Sequence, residues 1–296
     1  MDILETIGNT PLVTLRRFNG ESGRVRVLVK LEGNNPGGSI KDRAALYMIR
    51  SAQGAGCLNP SQTILEATSG NTGIALAMIG SACGYRVRIA MPAGVGRERL
   101  GMIKAFGAEV ELTPAEDGTD GAIRRVREIY ENRPENFYLV NQFANAQNIR
   151  AHRETTGPEI FARAGETIRA IVAGLGSCGT IMGVAEYFKE QSPTTLIVGV
   201  EPQKGHRIPG LKNMEESEVP KIFNKEFIDL RMTVNDRDAF DAARALALRE
   251  GIFAGMSSGA AVCAALRLAR DLRWGTIVAI LPDRGDRYLS TNLFNP

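Results

Sequence analysis

Short apolar runs and helix-spaced apolar stripes alternate along most of this chain. Continuous runs rich in β-branched residues occur at 25–31, 63–67, 86–91, 109–112, 137–141, 168–173, 196–200 and 276–281. Most have the length and character of strands buried on both faces. Between them, Ile123, Val126, Ile129 and Tyr130, and again Phe240, Ala243, Leu246 and Ala247, follow helical spacing with charges elsewhere. A further stretch, residues 71–82, is apolar nearly all round, which places it between a sheet and another layer. This alternation predicts an α/β fold with mainly parallel sheets flanked by helices. No fixed-period repeat or low-complexity segment interrupts the pattern, and the best candidate hinge is residues 142–150.

Ligands in such folds bind where loops leave the carboxyl ends of strands. Three glycine-rich turns occupy such positions. The first, Asn34-Asn35-Pro36-Gly37-Gly38-Ser39, leads to Lys41 at the start of a helix. The positive end of the helix dipole disfavours an ammonium there and favours a neutral amine, the form that attacks carbonyls. The alternative is an ordinary exposed lysine paired with Asp42, but only eight lysines stand against 28 arginines and this one alone follows such a turn. The second turn, Thr68-Ser69-Gly70-Asn71-Thr72-Gly73, gathers hydroxyls, an amide and free N–H groups at a helix start, more than a simple cap requires. These suit a carboxylate or a phenolate oxygen.

The third turn, Gly174-Leu175-Gly176-Ser177-Cys178-Gly179-Thr180, satisfies a dinucleotide fingerprint, with Glu201 placed where a ribose-binding acid would stand. An NAD-dependent oxidoreductase is therefore a competing reading. The same geometry binds a single phosphate, with the Ser177 and Thr180 hydroxyls as added donors. NAD explains neither Lys41 nor the second turn. Gly255-Met256-Ser257-Ser258-Gly259 precedes another helix, where a serine caps the helix or meets a ligand. Cys178, at a helix start, has a position that can lower a thiol pKa and make it oxidisable.

Composition narrows the chemistry further. The chain has 296 residues, 44% of them hydrophobic, and a net charge of +3 from dispersed charges. It can bury a large core in about two domains, and neither a nucleic-acid groove nor a membrane surface is indicated. The amino terminus lacks a signal-like segment and no apolar run would span a bilayer, so a cytoplasmic protein is expected. Four cysteines without metal-type spacing and two histidines, His152 and His206, argue against a metal site or a Ser-His-Asp triad.

Taken together, Thr6-Ile7-Gly8-Asn9-Thr10-Pro11-Leu12, Lys30-Leu31-Glu32-Gly33-Asn34-Asn35-Pro36, Ser39-Ile40-Lys41-Asp42-Arg43, the string from Glu66 to Gly73, Thr155-Thr156-Gly157-Pro158-Glu159 and Arg287-Tyr288-Leu289-Ser290-Thr291 resemble the cysteine synthase family. That resemblance runs from about Thr6 to Phe294. It implies a fold-type II enzyme dependent on pyridoxal 5'-phosphate, with a smaller lobe at 35–145 and a larger one from 1–34 and 146–296. By the same resemblance Lys41 holds the cofactor as a Schiff base and later acts as the base, Asn71 contacts the phenolate oxygen, and Gly176, Ser177, Cys178, Gly179 and Thr180 hold the phosphate. Ser257, with Ser258 as fallback, meets the pyridine nitrogen. Thr68, Ser69, Gly70, Thr72 and Gln142 receive the amino-acid substrate.

The implied reaction replaces the β-substituent of O-acetylserine, or O-phosphoserine, with a sulfur donor. Sulfide gives cysteine and thiosulfate gives S-sulfocysteine. A homodimer is implied by the resemblance alone. The segments 280–287 and 209–214 resemble the B form of the family, whose range includes thiosulfate, and Lys212 or Arg284 would attract such an anion. Two departures stand out: Cys178 replaces the usual glycine or threonine of the phosphate loop, and Lys212 stands where B forms often carry arginine. The rival readings are a related lyase or dehydratase acting on serine or threonine, the NAD-dependent oxidoreductase, and a non-catalytic amino-acid sensor.

Overall fold

In the computed structural model, which describes residues 1–18, 25–165 and 167–294, the apolar runs form two separate sheets. One contains β3 (Thr63–Ala67), β4 (Arg86–Pro92), β5 (Glu109–Thr113) and β6 (Phe137–Leu139) in the order β5-β4-β3-β6, all parallel. The other contains β1 (Leu12–Thr14), β2 (Val25–Leu31), β7 (Ile168–Gly174), β8 (Leu196–Pro202), β9 (Leu230–Val234) and β10 (Gly275–Leu281) in the order β1-β2-β10-β7-β8-β9. Only β1 runs antiparallel to its neighbour. All seven residues of β10 are buried, as expected for a central strand covered on both faces.

Helices α1 (Lys41–Gly54), α2 (Asn71–Cys83) and α3 (Arg97–Ala105) contribute to the core on one side of the smaller sheet, while α4 (Gly118–Asn132) packs Val126 and Ile129 against Leu65, Ala67 and Ala90 on the other. Every residue of α2 from Thr72 to Gly80 is buried, in keeping with its apolar circumference. The larger sheet is covered on one face by α8 (Asp236–Glu250) and α9 (Met256–Asp271), and on the other by α6 (Gly157–Ala164) and α7 (Gly179–Gln191). Residues 142–150 carry the chain between the sheets and include the start of α5 (Ala146–Ala151). A π-helical turn, His152–Thr156, follows it.

Two strands escape the sequence pattern. β1 has only three residues, and β9 is an edge strand whose Leu230 and Arg231 are exposed. The run at 137–141 ends its ladder at Leu139, earlier than expected, because Asn141 turns into the left-handed region at φ 51°. That turn carries Gln142 to the end of β3, where its side chain donates to the Ala67 carbonyl. Among the described residues no helix is long and apolar enough to cross a membrane.

Candidate active site

Each of the three glycine-rich turns leaves the carboxyl end of a parallel strand, β2, β3 or β7, and runs toward a helix start. The segment before Lys41 is fastened to the end of β10: the Ile40 N–H donates to the Pro282 carbonyl at 2.8 Å, and Ser39 bridges to Asp283. Lys41 is thus the first residue of α1 and lines a cavity between the three turns. Burial lowers its amine below the usual lysine range, against the opposing influence of Cys178 and Asp283. Its Nζ donates to Ser177 Oγ at 3.2 Å.

The cavity consists of two adjoining hollows that share Lys41, Asn71, Gly176 and Ser177. Thr68, Ser69, Thr72, Arg99, Gln142, Phe143 and Lys212 wall the first. Cys178, Thr180 and Ser257 help wall the second, with Gly210 crossing above both. The sequence-predicted residues therefore converge, with two exceptions in detail. Gly70 and Gly179 stand just behind the wall, where their lack of a side chain makes room. A Cβ at Gly70 would lie 2.3 Å from Arg99 Cδ, and one at Gly179 would lie 2.0 Å from Asn148 Oδ1.

On the first side, the Thr72 hydroxyl donates to Gln142 Oε1 at 2.7 Å, and Gln142 Nε2 donates to the Ala67 carbonyl at 3.1 Å. Glu66 accepts from the Ala67 and Gln142 amides at 2.8 and 3.0 Å, joining the ends of neighbouring strands. Burial pushes its carboxyl up to about 7 despite those two donors. Asn71 is held from both ends: its Nδ2 donates to Asp283 Oδ2 at 2.6 Å, and its Oδ1 accepts from Arg287 Nη1 at 2.6 Å. These partners fix the amide orientation.

On the second side, the Thr180 hydroxyl lies 3.2 Å from His152 Nε2, and burial above all pushes that ring well below the ordinary histidine range. Asn148 Nδ2 donates to Ser177 Oγ at 3.2 Å and to the Gln142 carbonyl at 2.9 Å, linking the two sides. Ser257 lines the hollow, whereas Ser258 is fully buried and its hydroxyl has no hydrogen-bond partner.

Three expectations are corrected. Cys178 takes a φ of 68°, and its side chain joins the apolar cluster around Ile40, Ile171 and Ile280. Burial pushes the thiol up to about 12, so its place before α7 gives no thiolate and the oxidisable reading fails. Arg284 is paired with Asp286 at 3.2 Å and lines a different hollow, beside Gly33 and Phe253. Glu201, the candidate ribose acid, is paired with Arg231 of β9 at 2.8 Å. Lys212 does reach the wall, but its Nζ is 2.8 Å from Asp120.

Arg99, Asn148, His152, Asp283 and Arg287 were not assigned to the site from sequence, although Asp283 and Arg287 lie in family-like strings. The burial of Asn148 and His152, and the partners each meets, emerge only in the fold. A phosphorylated aldehyde fits this arrangement. Lys41 offers an amine, Ser177 and Thr180 offer hydroxyls at the start of α7, and Gly176 leaves a cradle where a Cβ would lie 2.1 Å from the Gly210 carbonyl. Ser258 Oγ, next in the chain to Ser257, remains buried without a partner.

Comparison with known proteins agrees with that chemistry. Residues 3–283 match the family described as pyridoxal-phosphate dependent enzyme. Cysteine synthase B of Escherichia coli (strain K12) is 48% identical over 290 residues, covering 98% of this chain and 95% of that protein. The crystal structure of O-ureido-L-serine synthase superposes with a TM-score of 0.93 at 39% identity, covering 99% of this chain and 94% of that one. Cysteine synthase from Entamoeba histolytica gives 0.92 at 40% identity, covering 100% of this chain and 90% of that one.

Proposed function

We infer the function from the family this chain belongs to, the pyridoxal-phosphate dependent enzymes of fold-type II: it is a cysteine synthase, similar to the B form, and acts in cysteine biosynthesis by β-replacement. The observation that carries this reading is the placement of Lys41. A half-buried amine whose proton affinity is lowered by desolvation lies between one turn suited to phosphate and another suited to a carboxylate.

Gly176, Ser177, Cys178, Gly179 and Thr180 would hold the cofactor phosphate, chiefly through backbone N–H groups and the two hydroxyls. Asn71, oriented by Asp283 and Arg287, presents its remaining N–H to the phenolate oxygen. Ser257 meets the ring nitrogen. Bound pyridoxal 5'-phosphate supplies an electron sink that weakens the Cα–H bond of an attached amino acid. Lys41 holds the cofactor and then, released, takes the proton from Cα. Thr68, Ser69, Thr72 and Gln142 receive the substrate carboxylate, with Gly70 behind them shaping the turn, and this fixes Cα within reach of that amine.

A serine hydroxyl at the ring nitrogen, in place of a carboxylate, limits charge build-up and directs the reaction to loss of the β-substituent. Sulfur then adds at the vacated carbon, Lys41 returns the proton to Cα, and the two half-reactions give ping-pong kinetics. O-acetylserine or O-phosphoserine serves as first substrate. Thiosulfate is accepted beside sulfide, its charge met by the Lys212 ammonium on the cavity wall, which Asp120 offsets in part. The smaller lobe is residues 35–145 and the larger 1–34 with 146–296. The protein works as a cytoplasmic homodimer.

The test is product detection with purified, cofactor-saturated protein and each activated serine, with sulfide, with thiosulfate and with no donor. Cysteine and S-sulfocysteine are expected. Keto acid and ammonia, formed at the same rate with or without a donor, would assign a dehydratase instead. Absence of visible cofactor absorbance together with NAD binding would assign an oxidoreductase.

A further inference from the structure

Three cationic residues line the first hollow: Lys41, Arg99 and Lys212. Two are accounted for, since burial lowers the Lys41 amine and Lys212 is paired with Asp120. Arg99 differs from both. It is 3% exposed, and its Nε has no hydrogen-bond partner. Among the described residues no carboxylate pairs with its guanidinium; the adjacent Glu98 is turned to Ser290 instead. Its cationic head rests 4.5 Å from the centre of the Tyr288 ring.

An aromatic face returns to a cation only a fraction of what removing the ion from water costs, even after relaxation. A buried guanidinium in this state lacks an anion. Its location limits what that anion is. Arg99 lines the hollow that contains Thr68, Ser69 and Gln142 and is absent from the one that contains Cys178, Thr180 and Ser257. The phosphate side is therefore not its partner. The side chain also lies directly against the Thr68–Gly73 turn, at a contact that Gly70 alone permits: φ there is +143°, and any Cβ would meet Arg99 Cδ at 2.3 Å and Nε at 3.1 Å.

We propose that Arg99 supplies the positive charge that balances the carboxylate of the bound amino-acid substrate, acting behind the Thr68–Gly73 turn. This rests on the reading that the turn and Gln142 receive that carboxylate. The turn offers only neutral donors, and in a low-dielectric pocket a fixed charge favours an anion even without direct contact. Arg99 is the permanent cation on that wall that no protein anion neutralises.

The experiment compares equilibrium binding of L-serine and L-serinamide, which differ in the carboxylate, to the cofactor-loaded protein by calorimetry. The wild type should prefer serine by tenfold or more. Arg99→Met should lose most of that preference, and Arg99→Lys, which keeps the charge, should retain a substantial part. The melting temperature of ligand-free Arg99→Met should be equal to or above that of the wild type, because the variant removes an unpaired cation. If Arg99→Met does not fold, Arg99→Gln carries the same comparison.

Wild-type preference in Arg99→Met, alongside lost preference in Gln142→Ala, would overturn the Arg99 proposal and leave the carboxylate site standing. Unchanged preference in Gln142→Ala would overturn the carboxylate site itself, and the proposal with it. Retained serine preference with weakened thiosulfate binding in Arg99→Met would move the charge to the sulfur donor and also refute the proposal.

Discussion

Arg43, two residues beyond Lys41, grips Glu32 with both arms of its guanidinium: Nε lies 2.7 Å from Glu32 Oε2 and Nη2 lies 2.9 Å from Oε1. Both side chains are buried, and Glu159, Lys30 and Thr10 complete the cluster. Burial opposes these charges, but the reciprocal attraction prevails: Arg43 is held above its ordinary range and Glu32 below its own. The first turn of α1, and with it Lys41, is thereby anchored to the end of β2. Arg43→Met should leave Glu32 with only the more distant Lys30, 3.7 Å away, and cost about 3–5 kcal/mol. Denaturant melts would measure this, and a loss below ~1 kcal/mol would deny the cluster an anchoring role.

The same cluster sets an acid limit. Burial alone would raise Glu159, but Arg43 and Lys30 overcome it and leave the carboxyl at about 2. A depressed folded-state pKa stabilises the fold above the ordinary carboxylate value of about 4.3 and loses that contribution as pH falls toward about 2. Glu159→Gln should flatten this acid limb in stability-versus-pH curves; an unchanged limb would assign it to other groups.

Glu66 should act with the opposite sign. Its carboxyl is raised to about 7 by burial, so between the ordinary carboxylate value and about 7 the folded state binds more protons than the unfolded one. Its contribution therefore falls as pH rises through that window. Glu66→Gln should remove that downward slope, measured by melts between pH 4.5 and 7.5, and persistence of the slope would assign it elsewhere.

On the cavity wall, Asp120 pairs with Lys212 at 2.8 Å and offsets part of its charge. Asp120→Asn should free the ammonium and lower the KM for thiosulfate, relative to sulfide, by about fivefold, the equivalent of ~1 kcal/mol for a partly exposed pair. Equal shifts for both donors would remove Lys212 from donor recognition.

The turns that build the site were legible because their glycines, hydroxyls and lysine follow apolar runs that become parallel strands. Lys41, Asn71, Gly176, Ser177 and Gln142 consequently meet in one cavity. What was hidden depends on partners far apart in sequence. Arg99 looks like any helical arginine until Tyr288 and Gly70 close over it. Arg284 reads as a site charge until Asp286 takes it. Cys178 illustrates a local rule overridden by tertiary burial: a helix start favours the thiolate, but an apolar cluster does not.

The most direct test of the whole account is to reduce the cofactor-saturated protein with borohydride and locate the pyridoxyl group by peptide mass spectrometry. The label should sit on Lys41 and be absent from Lys41→Ala, whose activity should fall by about 10²- to 10⁴-fold. A label on another lysine, or none on the wild type, would contradict the assignment of Lys41 and the mechanism built on it.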